Sequence, residues 1–301
     1  MKQHPMIFFL LALAVSSCRQ ERESTGPQYG TESPTGGRPV YSFAVHPLHN
    51  PKMLLQTYLP LIDNLNSRIK GVTFTLEASR DYANFEEKYQ ARKPEVLLPN
   101  PWQTLQAMKA GYHVIAMAGE PGDFKGLFII RRNSGIETPQ DLKDKAVSYP
   151  SPTALAACIM PQYFLHLHGI DVNKDIENRY VGSQESSIMN VFLGKTVAGA
   201  TWPPPWRAFQ KNHPEEAVEL KVVWETESLI NNSVMIRSDI SAEIREQVRK
   251  YLVELHETEQ GKAILAGMET ARFIPASDKD YDVVVAYLER FEKEVRPVET
   301  K

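Results

Sequence analysis

The chain has 301 residues, 42% of them hydrophobic, with 34 Lys+Arg against 37 Asp+Glu and a formal net charge of −3. This length supports two domains with real cores, and a near-balanced charge without a basic stripe excludes a nucleic-acid partner. The 2 cysteines, Cys18 and Cys158, form no internal disulfide framework, so the fold must rest on its apolar core.

Residues 1–18 (MKQHPMIFFLLALAVSSC) read as a lipoprotein signal peptide. Lys2 supplies the positive start, and Met6–Val15 is an apolar run too short to span a bilayer. Val15-Ser16-Ser17-Cys18 looks like a bacterial lipobox, in which Cys18 is acylated and becomes the first mature residue. The other reading is an ordinary secretory signal ending near a cysteine. Either one exports the chain, and the first leaves it lipid-anchored to a bacterial membrane, facing the periplasm or the exterior. No second stretch approaches the length of a membrane span. Residues 19–39 contain no aliphatic side chain and are rich in Ser, Thr, Gly, Pro and Glu, which predicts a disordered tether reaching about 70 Å when extended.

From Val40 the pattern changes. VYSFAV reads as a strand, and 50–70 as a helix with Pro51 at its first position and Gly71 beyond its end. VTFTLEA is a strand, YANFEEKYQAR a helix, EVLLP a strand and WQTLQAMKAG a helix, followed by strands HVIAMAG and GLFIIRR. The alternation then restarts with the short helix PQDLKDK, strand KAVSYP and a long apolar helix over Thr153–His168. Strand ENRYVG, helix SSIMNVFLGK, strand TVAGATW and a helix opening on PPPWRAFQ follow. LKVVWET and SVMIR are strands, and the remainder is helical: SAEIREQVRKYLVELHE, EQGKAILAG and Lys279–Val295.

Strands alternating with helices predict an α/β fold of mostly parallel sheets with helices on both faces, and two consecutive runs predict two lobes. The expected partition is residues 40–128 plus 235–301 in lobe 1 and 129–234 in lobe 2, with crossings near 126–132 and 230–237. Ligands of such sheets bind outside the carboxyl ends of the strands. That singles out the loops at 46–50, 99–102, 151–153, 183–186 and 201–205.

Five segments, in order, resemble the phosphate/phosphite/phosphonate-type substrate-binding proteins of ABC transporters. They are FAVHPLHNP, L-x-N-P-W near 98–102, I-x-x-P-x-D-L-K-D-K-x-V at 136–147, GSQESSIMNVFLGKTVAGA at 182–200 and RFIPASDKDYDVV at 272–284. The resemblance implies a two-lobed type II periplasmic binding protein fold that closes over a small ligand. Members of the family follow the strand ending near residue 150 with a Ser/Thr cluster at a helix N-terminus. Here Ser151 and Thr153 remain, whereas Ala154, Leu155 and Ala156 stand where hydroxyls are expected, and Gln184 stands where the family often has histidine. The ligand's identity stays open at this point.

Ser151 and Thr153 either cap the following helix or present its free N–H groups to an anion. Ser183 and Gln184 begin the next helix and could donate to the same ligand. Thr201 follows in that lobe, and Trp202 is either an aromatic wall held by Pro203–Pro205 or packing between helices. His46 and Asn50 after the first strand, with Asn100 and Trp102 after a later one, would form the opposite jaw, Asn50 having the other reading of a cap for the helix begun by Pro51. His46 with His49, and His166 with His168, lack a third metal ligand nearby, so neither pair is read as a metal site. Cys158, within an apolar helix, reads as a buried hydrophobe. No nucleophile elbow, zincin motif, phosphate loop or dinucleotide fingerprint occurs, and no catalytic residue or cofactor is assigned. The expected function is a monomeric, lipid-anchored solute-binding protein that takes a small anion, phosphonate- or phosphate-like, to an inner-membrane permease. A ligand-sensing protein docking on a sensor histidine kinase, for instance for an oxyanion such as arsenite, is the alternative.

Overall fold

The computed structural model describes residues 38–119 and 121–300. The signal segment, Cys18 and all but the last two residues of the 19–39 tether lie outside them. The chain first lays down β1 (Val40–Val45), α1 (Pro51–Arg68), β2 (Thr73–Glu77), α2 (Tyr82–Gln90), β3 (Val96–Leu98), α3 (Pro101–Lys109) and β4 (Tyr112–Ala118). It then crosses to a second sheet. There it forms β5 (Leu127–Arg131), β6 (Lys145–Tyr149), a π-turn (Leu155–Ile159) continuing into α4 (Met160–Leu167), and β7 (Ile176–Tyr180). α5 (Gln184–Phe192), β8 (Ala198–Thr201), α6 (Pro203–Asn212), α7 (Pro214–Ala217) and β9 (Leu220–Glu225) complete that layer. The chain returns through β10 (Ser233–Arg237), α8 (Ala242–Glu254), α9 (Glu259–Gly267), β11 (Phe273–Pro275) and α10 (Asp282–Glu294).

The first sheet has the order β11-β4-β10-β3-β1-β2 and the second β7-β6-β8-β5-β9. β1 pairs in parallel with β2 and β3, and β6 with β7 and β8, whereas β10 and β5 pair antiparallel with both of their neighbours. The reversal follows from the path. Each crossing delivers the chain at the carboxyl ends of the parallel strands, so the first strand of the new sheet runs back. The two crossings lie side by side, with Thr226 N donating to Gly126 O (2.9 Å) and Leu229 N to Phe124 O (2.9 Å).

Central strands are buried on both faces, as parallel-type sheets require. Phe43, Val45, Leu97 and Met235 sit in the first core. In β5 the two-residue period sends Phe128 and Ile130 to one face with Val147 and Tyr149, and Leu127 and Ile129 to the other with Ile188, Trp206 and Phe209. At Gly199 an added Cβ would stand 2.6 Å from Ser187 O, so its missing side chain lets α5 sit directly on β8.

Two helices differ from the sequence reading. The apolar stretch from Thr153 turns helical only at Leu155, and its first turn is a π-turn. Pro161 cannot donate to a carbonyl one turn back, and a widened turn ahead of it accommodates that loss. The segment from Lys279 opens as a 3₁₀ turn (Asp278–Tyr281) capped by Ser277 before α10 begins. The strand β11 and the short α7 were not legible as elements. Behind the crossings, the end of α10 and the residues after it reach the second lobe: Asn173 Nδ2 donates to Val295 O (3.2 Å) and Arg296 Nη2 to Gln162 Oε1 (2.9 Å).

Candidate ligand-binding site

The carboxyl ends of the strands in both lobes face one another across a small interior space. His46 follows β1, and its Nδ1 donates to Leu98 O at 2.8 Å. Burial lowers its pKa to about 4, with the Leu98 carbonyl opposing, so the ring is neutral near pH 7. Asn100 caps α3 through a reciprocal box with Gln103, and its Nδ2 reaches across the lobes to Thr153 O (3.1 Å). Behind this link lies Glu86 of α2, buried, its Oε1 accepting from Thr153 Oγ1 (2.6 Å) and Gln103 Nε2 (3.1 Å). Desolvation raises the Glu86 pKa against those two hydrogen bonds.

From the second lobe comes the start of the 155–167 helix. Leu155, Ala156 and Ala157 are buried, and Ala154 before them has no side-chain oxygen to cap the turn. A buried helix start without caps leaves N–H groups in need of acceptors. Gln184, first residue of α5, donates its Nε2 to Tyr82 OH (3.1 Å), while its Oε1 accepts from Thr201 Oγ1 (2.9 Å). Trp202 precedes α6 and lies 5.4 Å from the Phe124 ring. Three prolines open α6, so that helix brings no N–H donors in its first turn.

These groups enclose a cavity of about 10 Å³, room for one water. His46, Tyr82, Asn100, Phe124 and Asn232 line it on one side, and Ala154–Ala157, Gln184 and Trp202 on the other. A second cavity, about 20 Å³, shares Trp202 and Asn232 with it. Among the described residues no Lys or Arg lines either cavity. Two carboxylates, Asp123 and Glu269, line the second cavity, and Arg207 pairs with both (2.8 Å and 3.0 Å), while Glu185 meets Asn50 Nδ2 (3.0 Å) and His213 Nε2 (3.4 Å). A larger groove of about 670 Å³ lies between α1 and α9 on the outer surface of the first lobe, away from the strand ends. Among the described residues no cluster of three metal-ligating side chains occurs, and no helix is long and apolar enough to cross a membrane.

A family model for periplasmic phosphonate substrate-binding proteins of ABC transporters matches residues 43–281. The chain belongs to this family. A probable phosphite-binding protein of an ABC transporter from Prochlorococcus marinus is 25% identical over 181 residues, spanning 56% of this chain and 61% of that relative's length. Among solved structures, a binding protein component of an ABC phosphonate transporter from Pseudomonas aeruginosa superposes with a TM-score of 0.79 at 18% identity, covering 85% of this chain and 87% of the other. A Prochlorococcus marinus binding protein in complex with methylphosphonate gives 0.78 at 19% identity, covering 85% and 100%. These neighbours establish the two-lobed type II periplasmic binding protein fold.

Within that fold, His46, Asn100, Gln184 and Trp202 converge on the cavity, and the other candidate ligand residues from the sequence do not line it. Trp102 turns into the first core, because its helix face packs inward. Ser151 and Thr153 spend their hydroxyls on each other (3.0 Å) and on Glu86, tying the lobes together. Ser183 is the N-cap of α5, accepting from Ser186 N at 3.1 Å. Thr201 orients Gln184 from behind. Sequence reasoning missed Tyr82, Phe124 and Asn232. Tyr82 opens a helix after β2, a strand end like the five inspected, and that position was the available signal; Phe124 and Asn232 sit in the crossings.

Proposed function

We propose that the protein is a solute-binding component of an ABC transporter, held to the membrane through acylated Cys18. It closes two lobes, 40–128 plus 235–301 and 129–234 in outline, over a small phosphonate- or phosphate-like anion and presents it to an inner-membrane permease. The observation that carries the ligand class is the uncapped, buried helix start at Leu155 in the cavity wall, whose N–H groups and positive dipole end favour an anion. The names of the relatives, phosphite- and phosphonate-binding, support the same class. A space of about 10 Å³ admits the solute only when the lobes part, which the paired crossings allow.

Thermal-shift measurements with methylphosphonate, phosphite and phosphate test the ligand class. At 100 times its dissociation constant a true ligand adds about 2.7 kcal/mol of stability, and no shift with any of the three contradicts the reading. For the anchor, Cys18→Ser is expected to move the protein from the detergent phase to the aqueous phase. Retention of the variant in the detergent phase contradicts acylation at Cys18.

A further inference from the structure

We propose that the cavity selects an oxyacid that still carries a proton, whose hydroxyl hydrogen is shared between the acceptors His46 Nε2 and Asn232 Oδ1. This rests on the reading that the solute binds between the lobes.

The first observation is the tautomer of His46. Its Nδ1 faces the carbonyl oxygen of Leu98 at 2.8 Å, and a carbonyl only accepts, so Nδ1 carries the ring's hydrogen. Nε2 is then a lone pair at the cavity wall. The second observation is Asn232, 2% exposed, whose Oδ1 has no hydrogen-bond partner among the described residues. Its backbone is fixed on both sides, N–H donating to Asn231 Oδ1 (2.8 Å) and C=O accepting from Ala118 N (2.7 Å). A buried acceptor without a partner is a costly feature that a bound donor relieves.

The opposite wall offers donors. The first-turn N–H groups of the helix at Leu155 are uncapped; on the same side as His46, Tyr82 OH accepts from Gln184 Nε2 and has its own hydrogen to give. A fully ionised oxyanion would satisfy that wall but set lone pairs against His46 and Asn232, where among the described residues no Lys or Arg lines the cavity to offset the repulsion. A molecule with both unprotonated oxygens and at least one O–H satisfies both walls. Hydrogen phosphonates and hydrogen phosphate have that pattern; sulfate and sulfonates, deprotonated near neutral pH, lack the donor.

Calorimetric titration of the purified protein with methylphosphonate and with methanesulfonate, near neutral pH, decides it. The two ligands share shape and differ in the proton. Methylphosphonate is expected to bind at least tenfold tighter. Asn232→Leu and Asn232→Ala should weaken methylphosphonate binding by about 5- to 150-fold and narrow the gap to methanesulfonate. The thermal midpoint of ligand-free Asn232→Leu should not fall, because the unpartnered oxygen is gone. Equal affinity for the two ligands, or unchanged methylphosphonate affinity in both variants, overturns the proton-selective site and leaves solute capture between the lobes standing. Binding of neither ligand overturns both.

Discussion

Ser183 and Gln184 are neighbours in sequence with separate tasks. Ser183 Oγ accepts from Ser186 N and donates to Ser186 Oγ, so its hydroxyl is committed to starting α5. Ser183→Ala should cost about 1 kcal/mol of stability in urea unfolding and leave ligand affinity unchanged. A large loss of affinity at unchanged stability would return Ser183 to the binding site. His46 gives a pH signature. Its folded pKa, about 4, lies below the ordinary 6.5, so the unfolded chain binds the extra proton between those values. Stability is therefore complete above pH 6.5 and falls as pH drops toward 4, by up to about 3 kcal/mol from this residue. His46→Asn, which keeps a donor for Leu98 O, should flatten that part of the acid limb; an unchanged pH profile would show that the ring is not buried neutral.

At the scale of elements, the helix start at Leu155 is held from behind by the first crossing. A Cβ added at Gly126 would stand 2.6 Å from Ala156 O and 2.9 Å from Pro161 Cγ. Gly126→Ala must therefore push the crossing off the helix. We expect a loss of about 1–3 kcal/mol in stability together with weaker binding, read by urea midpoint and titration; a variant as stable and as tight as wild type would mean the contact yields freely. The sequence pattern made this helix visible through its unbroken apolar residues, but not its starting point. Ser151 and Thr153 look like caps by residue type, and only the folded chain shows their hydroxyls turned to each other and to Glu86. Trp102 shows a related limit: a residue beside a strand end reads as a jaw, while the face it turns inward depends on tertiary packing.

For the whole molecule, the alternation of strands and helices carried the two-layer α/β architecture, because a two-residue or 3.6-residue period is written directly into apolar spacing. The strand-end rule pointed to the loops from which His46, Asn100, Gln184 and Trp202 meet at the small cavity. What periodicity does not encode is which side chains arrive from distant segments. Asn232 reaches the cavity from the return crossing and Tyr82 through its bond to Gln184, separated by 102 positions. In the proposed function an anion is held between the lobes by the uncapped N–H groups of the helix beginning at Leu155. Amide hydrogen exchange with and without saturating methylphosphonate reads those groups individually. The amides of Leu155, Ala156 and Ala157 are expected to exchange at least tenfold more slowly with ligand, while amides of the outer groove near Gln56 and Ala263 do not change. Unchanged exchange at all three cavity amides under saturation would contradict it.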